Sequence, residues 1–198
     1  MRYLSIDIEA TGLAESCMMI EFAMIPFDAA TNTFEESLSR SVFIQCPSFE
    51  ELKPSLDPWV VEHNESLIRK AHAEGMPMMD FKKMLQDYLE SKEVKSYFNN
   101  QKITLFGKSM SAIDLPFLNR DLGWEFMRKY FQHRQLDLSG LAYGLMDLDL
   151  LPPGMESGSG LMRYLGLGNV AHTALEDARN TAIMYFKIIE KIKSLSKT

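Results

Sequence analysis

Positive charge, histidine, cysteine and long apolar runs are all scarce in this chain, and each shortage narrows the choice of function. Lys and Arg number 21 against 27 Asp and Glu, for a net charge of −6. That balance argues against a protein that coats long nucleic acid by charge alone, while leaving room for one that handles a few nucleotides at a local site. The two cysteines, Cys17 and Cys46, are too few for a disulfide framework and have no metal-ligand spacing around them. With only four histidines and two cysteines, a site built from acids would suit a hard cation rather than zinc, which asks for more His or Cys among its ligands. No uncharged run of about 18 apolar residues could span a membrane. Asp7 and Glu9 interrupt any apolar segment of a leader peptide, so a cytoplasmic location is expected. Repeats and low-complexity tracts are absent too. What remains is a chain of 198 residues, 46% hydrophobic, long enough for one domain over residues 1–198 with a substantial core. Its 14 methionines are scattered and read as core filling.

The most informative stretch is LSIDIEATGL, residues 4–13. Leu4, Ile6 and Ile8 alternate with Ser5, Asp7 and Glu9, the period of a half-buried strand. Asp7 and Glu9 then share a face at about 7 Å along the strand, where they repel each other unless a cation intervenes. A solvated strand face accounts equally well for the pair taken alone. Thr11-Gly12 ends the strand.

Downstream, residues 18–27 and 34–45 read as two more strands in a meander with the first. Helical spacing runs over 59–73, closed by Gly75, and over 79–98. A short buried strand, ITLF at 103–106, leads to a helix opening at Asp114, with Pro116 suited to its first turn. A further helical piece to Phe131, a strand over 135–138, a helix from about Ser139, a loop at 151–160 and a final helix over 173–192 complete the order. Strands followed by helices interspersed with strands predict an α/β fold, a mixed sheet packed by helices.

Asp114 follows a buried strand, where open α/β sheets place their ligands. Asp177 stands on the first turn of the last helix, with His172 five residues earlier. Four carboxylates meeting at one point need cations, and hard oxygen donors suit Mg²⁺ or Mn²⁺. Two such ions stabilise both the attacking and the leaving oxygen of a phosphodiester. His172 has the chemistry of a base for the attacking water.

DIEATG with Asp7 and Glu9, LFGKSMSAIDLPFL with Asp114, and HTALEDARNTA with His172 and Asp177 resemble the three sequence blocks of the DEDDh 3′–5′ exonucleases, the ribonuclease-H-like, DnaQ-type superfamily. The resemblance implies a ribonuclease-H-like mixed five-stranded sheet flanked by helices on both faces. It implies two Mg²⁺ or Mn²⁺ ions held by Asp7, Glu9, Asp114 and Asp177, with His172 as the catalytic base. The activity implied is release of nucleoside 5′-monophosphates from the 3′ end of short or single-stranded nucleic acid, RNA being slightly favoured.

Within that superfamily, PWVVEHNES and YFQHRQLDLS are similar to segments of oligoribonuclease. Carried over by position, Thr11, Gly12 and Leu13 join the substrate-binding set, Leu13 as a wedge between bases. Trp59 and His63 contact the 3′ nucleotide, and Ser109, Arg134 and Ser139 hold a 5′ phosphate. His133, Gln132 and Gly140 replace a Tyr, a His and a Thr of that subgroup, so a general exonuclease on RNA or DNA is equally compatible. A homodimer, a proofreading exonuclease subunit of a polymerase and a non-catalytic binding module on the same fold stay open as alternatives. Read without the resemblance, Trp59 suits core packing somewhat better than base stacking, and Arg134 suits a phosphate clamp and an ion pair with Asp137 equally. Glu21 within an apolar strand has no role beyond a structural hydrogen bond.

Overall fold

The computed structural model describes residues 1–167 and 173–195. Strand β1 (Arg2–Ala10) pairs antiparallel with β2 (Met19–Asp28), which is bordered in turn by β3 (Thr33–Phe34) and β4 (Arg40–Phe43). On the other side β1 runs parallel to β5 (Leu105–Gly107), and β5 to β6 (Leu136–Asp137). Among the described residues the mixed sheet therefore has six strands in five positions. The predicted third strand over 34–45 is split by a 3₁₀ turn at Glu36–Leu38, so β3 pairs with Phe27 and Asp28 while β4 pairs with Glu21 to Met24.

Helices α1 (Phe49–Leu52), α2 (Pro58–His63), α3 (Glu65–Glu74), α4 (Met78–Glu90) and α5 (Lys92–Tyr97) fill the connection from β4 to β5. Between β5 and β6 lie α6 (Asp114–Leu122) and α7 (Trp124–Tyr130), and after β6 come α8 (Leu138–Asp147), α9 (Gly158–Tyr164) and α10 (Ala174–Leu195). Two helices expected as continuous are each broken by a capping residue. Asn64 closes α2 by donating its N–H to Val60 O, and Ser91 closes α4 while its hydroxyl accepts from Val94 N–H at the start of α5. Helix α9 starts within the stretch that reads as loop, because Gly158 and Gly160 weaken the helical pattern there. Gly75 ends α3 with an ordinary negative φ; what it needs is the absence of a Cβ, which would sit 2.2 Å from Ala71 O and 2.5 Å from Gln45 N.

The alternation in β1 feeds two core clusters, one on each face of the sheet, beside a third around Ile20, Phe49 and Ile68. Leu4, Ile6 and Ile8 join Phe81, Leu85, Phe117 and Phe126 under α4, α6 and α7. Tyr3 joins Phe27, Phe106, Leu138, Leu161 and Phe186 under α8, α9 and α10. Both faces of β1 are thus covered, and the acids do not lie on a wet face. Helix α10 approaches closely because Ala174, Ala178 and Ala182 are fully buried where it crosses the sheet, and Ser5 donates its hydroxyl to Ala178 O at 2.7 Å.

Phe27 stacks on Tyr3, meets Phe34, Phe106 and Phe186 edge-on and lies tilted against Tyr185, with ring centroids 5.1 to 6.4 Å apart. Phe27→Ala is expected to cost about 3–5 kcal/mol in urea unfolding monitored by circular dichroism.

Candidate active site

Asp7 and Glu9 stand near the end of β1 on the face that α10 covers. Directly after Glu9 the pairing with β2 slips, Glu9 opposing Glu21 and Ala10 opposing Met19. Such a bulge turns the strand end and frees its side chains from the ladder. Gly12 then takes φ +144°, and a Cβ there would lie 2.8 Å from Cys17 Sγ. Thr11 locks this turn from inside, since its buried hydroxyl accepts from Met18 N–H at 2.9 Å.

Asp177 reaches the same place from the first turn of α10, where its N–H donates to Thr173 O and the Thr173 hydroxyl donates to Glu176. Carboxylate oxygens of Asp7, Glu9 and Asp177 all lie within 4.8 Å of one another. Asp114, at the start of α6, lines the same cavity of about 380 Å³ but stands outside that trio, with Oδ1 accepting Ile8 N–H at 3.1 Å. Burial and mutual repulsion act on the group together. Desolvation first, then Asp114, Glu9 and Asp177, hold Asp7 well above the usual carboxylate range. Glu9 is pushed up to about 7 by burial, with Asp177 and Glu21 adding to it, and burial also raises Asp114 to about 7. Three carboxylates sharing one point, all of them oxygen donors, are a donor set for a hard divalent cation.

Glu21 supplies a link that sequence patterning did not reveal. Buried in β2 opposite Glu9, it accepts from the Ser41 hydroxyl at 2.8 Å and from Ala174 N–H at 3.4 Å. It therefore caps the helix that carries Asp177. Lys108, Asn180 and Thr181 also line the cavity and were missed, because isolated polar residues beside apolar ones carry no periodic signal.

A second cavity of about 480 Å³ adjoins the first, sharing Ile8, Glu9 and Ile113, and is lined by Gly12, Leu13 and Trp59. Trp59 is 55% exposed rather than packed in the core, and its ring stacks on His63 at 4.4 Å and 10°. The His63 ring is held by an Nδ1 contact to Trp59 O at 2.8 Å. Ser109 and Ser139 meet each other, Oγ to Oγ, at 2.9 Å. Arg134 is exposed and lines neither cavity. Its expected partner Asp137 is engaged elsewhere, with Oδ1 accepting Ser109 N–H at 3.0 Å and Ser139 N–H at 2.9 Å. His172 lies outside the described residues.

No protein-family model and no curated protein sequence matches the chain. Solved structures do. The cell-death related nuclease CRN-4 superposes with a TM-score of 0.67 at 16% identity, over 96% of this chain and 64% of its own. The nuclease domain of 3′hExo, a DEDDh family member bound to rAMP, gives 0.67 at 17%, over 96% and 92%. E. coli Exonuclease I with a dT13 oligonucleotide gives 0.73 at 16%, over 99% and 42%. The chain thus has the fold of the DEDDh exonucleases; it spans nearly all of the isolated nuclease domain, but less than two thirds of CRN-4 and less than half of Exonuclease I.

Because the acids carry raised pKa values in the folded state, that state binds more protons than the unfolded one between about pH 4 and pH 7, and stability falls as pH rises through that window. In chelator, the melting temperature is expected to drop by roughly 5–10 °C from pH 5 to pH 8. Mn²⁺ should restore it at pH 8. Asp7→Asn should flatten the pH dependence and abolish the Mn²⁺ effect, both read by differential scanning calorimetry.

Proposed function

We propose that this chain is a metal-dependent 3′–5′ exonuclease. It would hydrolyse phosphodiester bonds from the 3′ end of short or single-stranded nucleic acid, RNA slightly favoured, and release nucleoside 5′-monophosphates. The observation that carries this reading is the convergence of Asp7, Glu9 and Asp177 oxygens within 4.8 Å on a DEDDh-type fold. Two Mg²⁺ or Mn²⁺ ions, held by these three acids and Asp114, would supply the charge that stabilises the attacking and leaving oxygens.

The residues of the chain do the rest. Ile8 N–H fixes one oxygen of Asp114, so the carboxylate is oriented before substrate arrives. Glu21 holds the N-terminus of α10 against β2 and so keeps Asp177 beside Glu9. His172 would take the proton of the attacking water at neutral pH. The 3′ nucleotide would enter the adjoining cavity, its base against Leu13 and the exposed Trp59 face, whose tilt the His63 stack already sets. The turn after β1, locked by the Thr11 hydroxyl, would present Gly12 to the nucleotide in the lining of that adjoining cavity. Ser109, Ser139 and Arg134 would meet a 5′ phosphate, and the short reach this implies favours oligonucleotides of few residues. The enzyme would work as one domain in the cytoplasm; among the described residues no helix is long and apolar enough to cross a membrane.

A time course with Mn²⁺ or Mg²⁺ on 5′-labelled RNA and DNA, from dinucleotides to long single strands, tests the reading. Shortening from the 3′ end is expected, and confinement to the shortest RNAs would indicate an oligoribonuclease. A ladder from long strands would mark a general exonuclease, and no cleavage at all would leave a binding module. Asp7→Ala and Asp177→Ala should abolish hydrolysis, and His172→Ala should slow it roughly 10²–10⁴-fold with metal binding kept.

A further inference from the structure

Lys108 has no part in the hydrolysis set out above, yet the structure holds it in the wall of the acid cavity. Lysines normally reach for water. Here the chain directs one inward. Strand β5 ends at Gly107, pressed so close to Met110 that a Cβ would lie 2.6 Å from its Cγ. Ser109 then takes φ +57°, a left-handed conformation that costs a non-glycine residue about 1 kcal/mol or more. Asp137 holds it there by accepting its N–H at 3.0 Å, with the same oxygen that caps α8 through Ser139 N–H. Lys108, between these two fixed residues, lays its stem across Gly158 at the start of α9, where a Cβ would lie 2.7 Å from Lys108 Cε and 3.2 Å from Cδ. Among the described residues that line the cavity, Lys108 is the only basic one beside Asp7, Glu9, Asp114 and Asp177. Its positive charge acts on Asp7 and on Asp114, favouring their ionised forms.

We infer that Lys108 is a built-in cation of the acid cavity, which competes with the divalent ions for the carboxylates and then meets the scissile phosphate once the ions are bound. The inference deepens the exonuclease reading and rests on it for its second half. Charge balance carries the argument. Four carboxylates and two divalent ions cancel, so an entering phosphodiester brings one negative charge that the ions have not already matched. The Lys108 ammonium is the cation left in the wall to match it, and its flexible stem lets it move between the two roles. Before metal arrives, the same ammonium offsets part of the carboxylate repulsion, so it opposes entry of a second cation.

The two roles predict opposite changes in one variant. In Lys108→Met, Mn²⁺ titrated in the absence of substrate and followed by electron paramagnetic resonance should bind about 10-fold more tightly. Hydrolysis at saturating Mn²⁺ should slow by about 10- to 100-fold, mainly in kcat. Lys108→Arg should keep the wild-type Mn²⁺ affinity and recover part of the rate, while Gly158→Ala, which displaces the stem without removing charge, should shift both readouts in the direction of Lys108→Met. Unchanged or weaker Mn²⁺ binding in Lys108→Met, with circular dichroism like that of the wild type, would overturn the competition. An unchanged rate would overturn the phosphate contact. Should Lys108→Met fail to fold, Lys108→Gln gives the same pair of measurements. If wild-type protein hydrolyses nothing, the exonuclease reading fails, and tighter Mn²⁺ binding by Lys108→Met still supports the counter-cation on its own.

Discussion

Repulsion among carboxylates that the fold forces together is the constraint on which the active-site end of this molecule depends. Asp7 and Glu9 lie two residues apart on one face of β1, Asp177 comes down on them from α10, and Asp114 closes the cavity from α6. Left to themselves these groups would move apart or take up protons, as the raised pKa values of Asp7, Glu9 and Asp114 show. Their proximity has to be enforced by packing. Three alanines buried at the crossing let α10 sit close to the sheet, and the bond from Ser5 to Ala178 O fixes its height along β1. Burial of Phe27, Phe106 and Phe186 supplies the drive on that side of the sheet.

Enforcement by packing also explains Glu21, an acid that a purely electrostatic account would not place beside Glu9. Its carboxylate adds to the repulsion on Glu9, yet it accepts the N–H of Ala174 at the start of α10, a backbone donor that the helix itself cannot satisfy. One buried acid thus stabilises the element that carries another. The sheet and the site are coupled through that contact, since β2 cannot shift against β1 without moving the first turn of α10.

Much of this was legible in the sequence where a repeating pattern or a local motif carried the information. The alternation of Leu4, Ile6 and Ile8 with Asp7 and Glu9 located β1 and the shared face of its acids, and the placement of Asp177 on a first helical turn followed from ALEDARNTA. Patterns failed where a single residue interrupts them. Asn64 and Ser91 each end one helix and start the next without disturbing the apolar spacing, so 59–73 and 79–98 read as unbroken. Glycines at 158 and 160 hid α9, although Gly158 is there to admit the Lys108 stem. Contacts between distant elements were out of reach altogether. Glu21 stood out in its strand, but its partners Ser41 and Ala174 are 20 and 153 residues away, and only strand pairing brings them in. The exposed position of Trp59 depends on where α2 docks, and residue type alone leaned the other way, toward the core.

The division of one sheet edge between β3 and β4 limits what another strand could pair with. Two residues of β3 and four of β4 border β2 with a helical turn between them, and the opposite border is the two-residue β6. Among the described residues, a neighbouring chain seeking to add a strand finds no long edge strand at either rim. The hydrophobic run of β2, MIEFAMIPF, would be the natural template for such stacking, and it lies one position inside. Among the described residues, the broken border thus leaves β2 covered by short elements on its outer side, so that strand addition there would first have to displace β3 or β4.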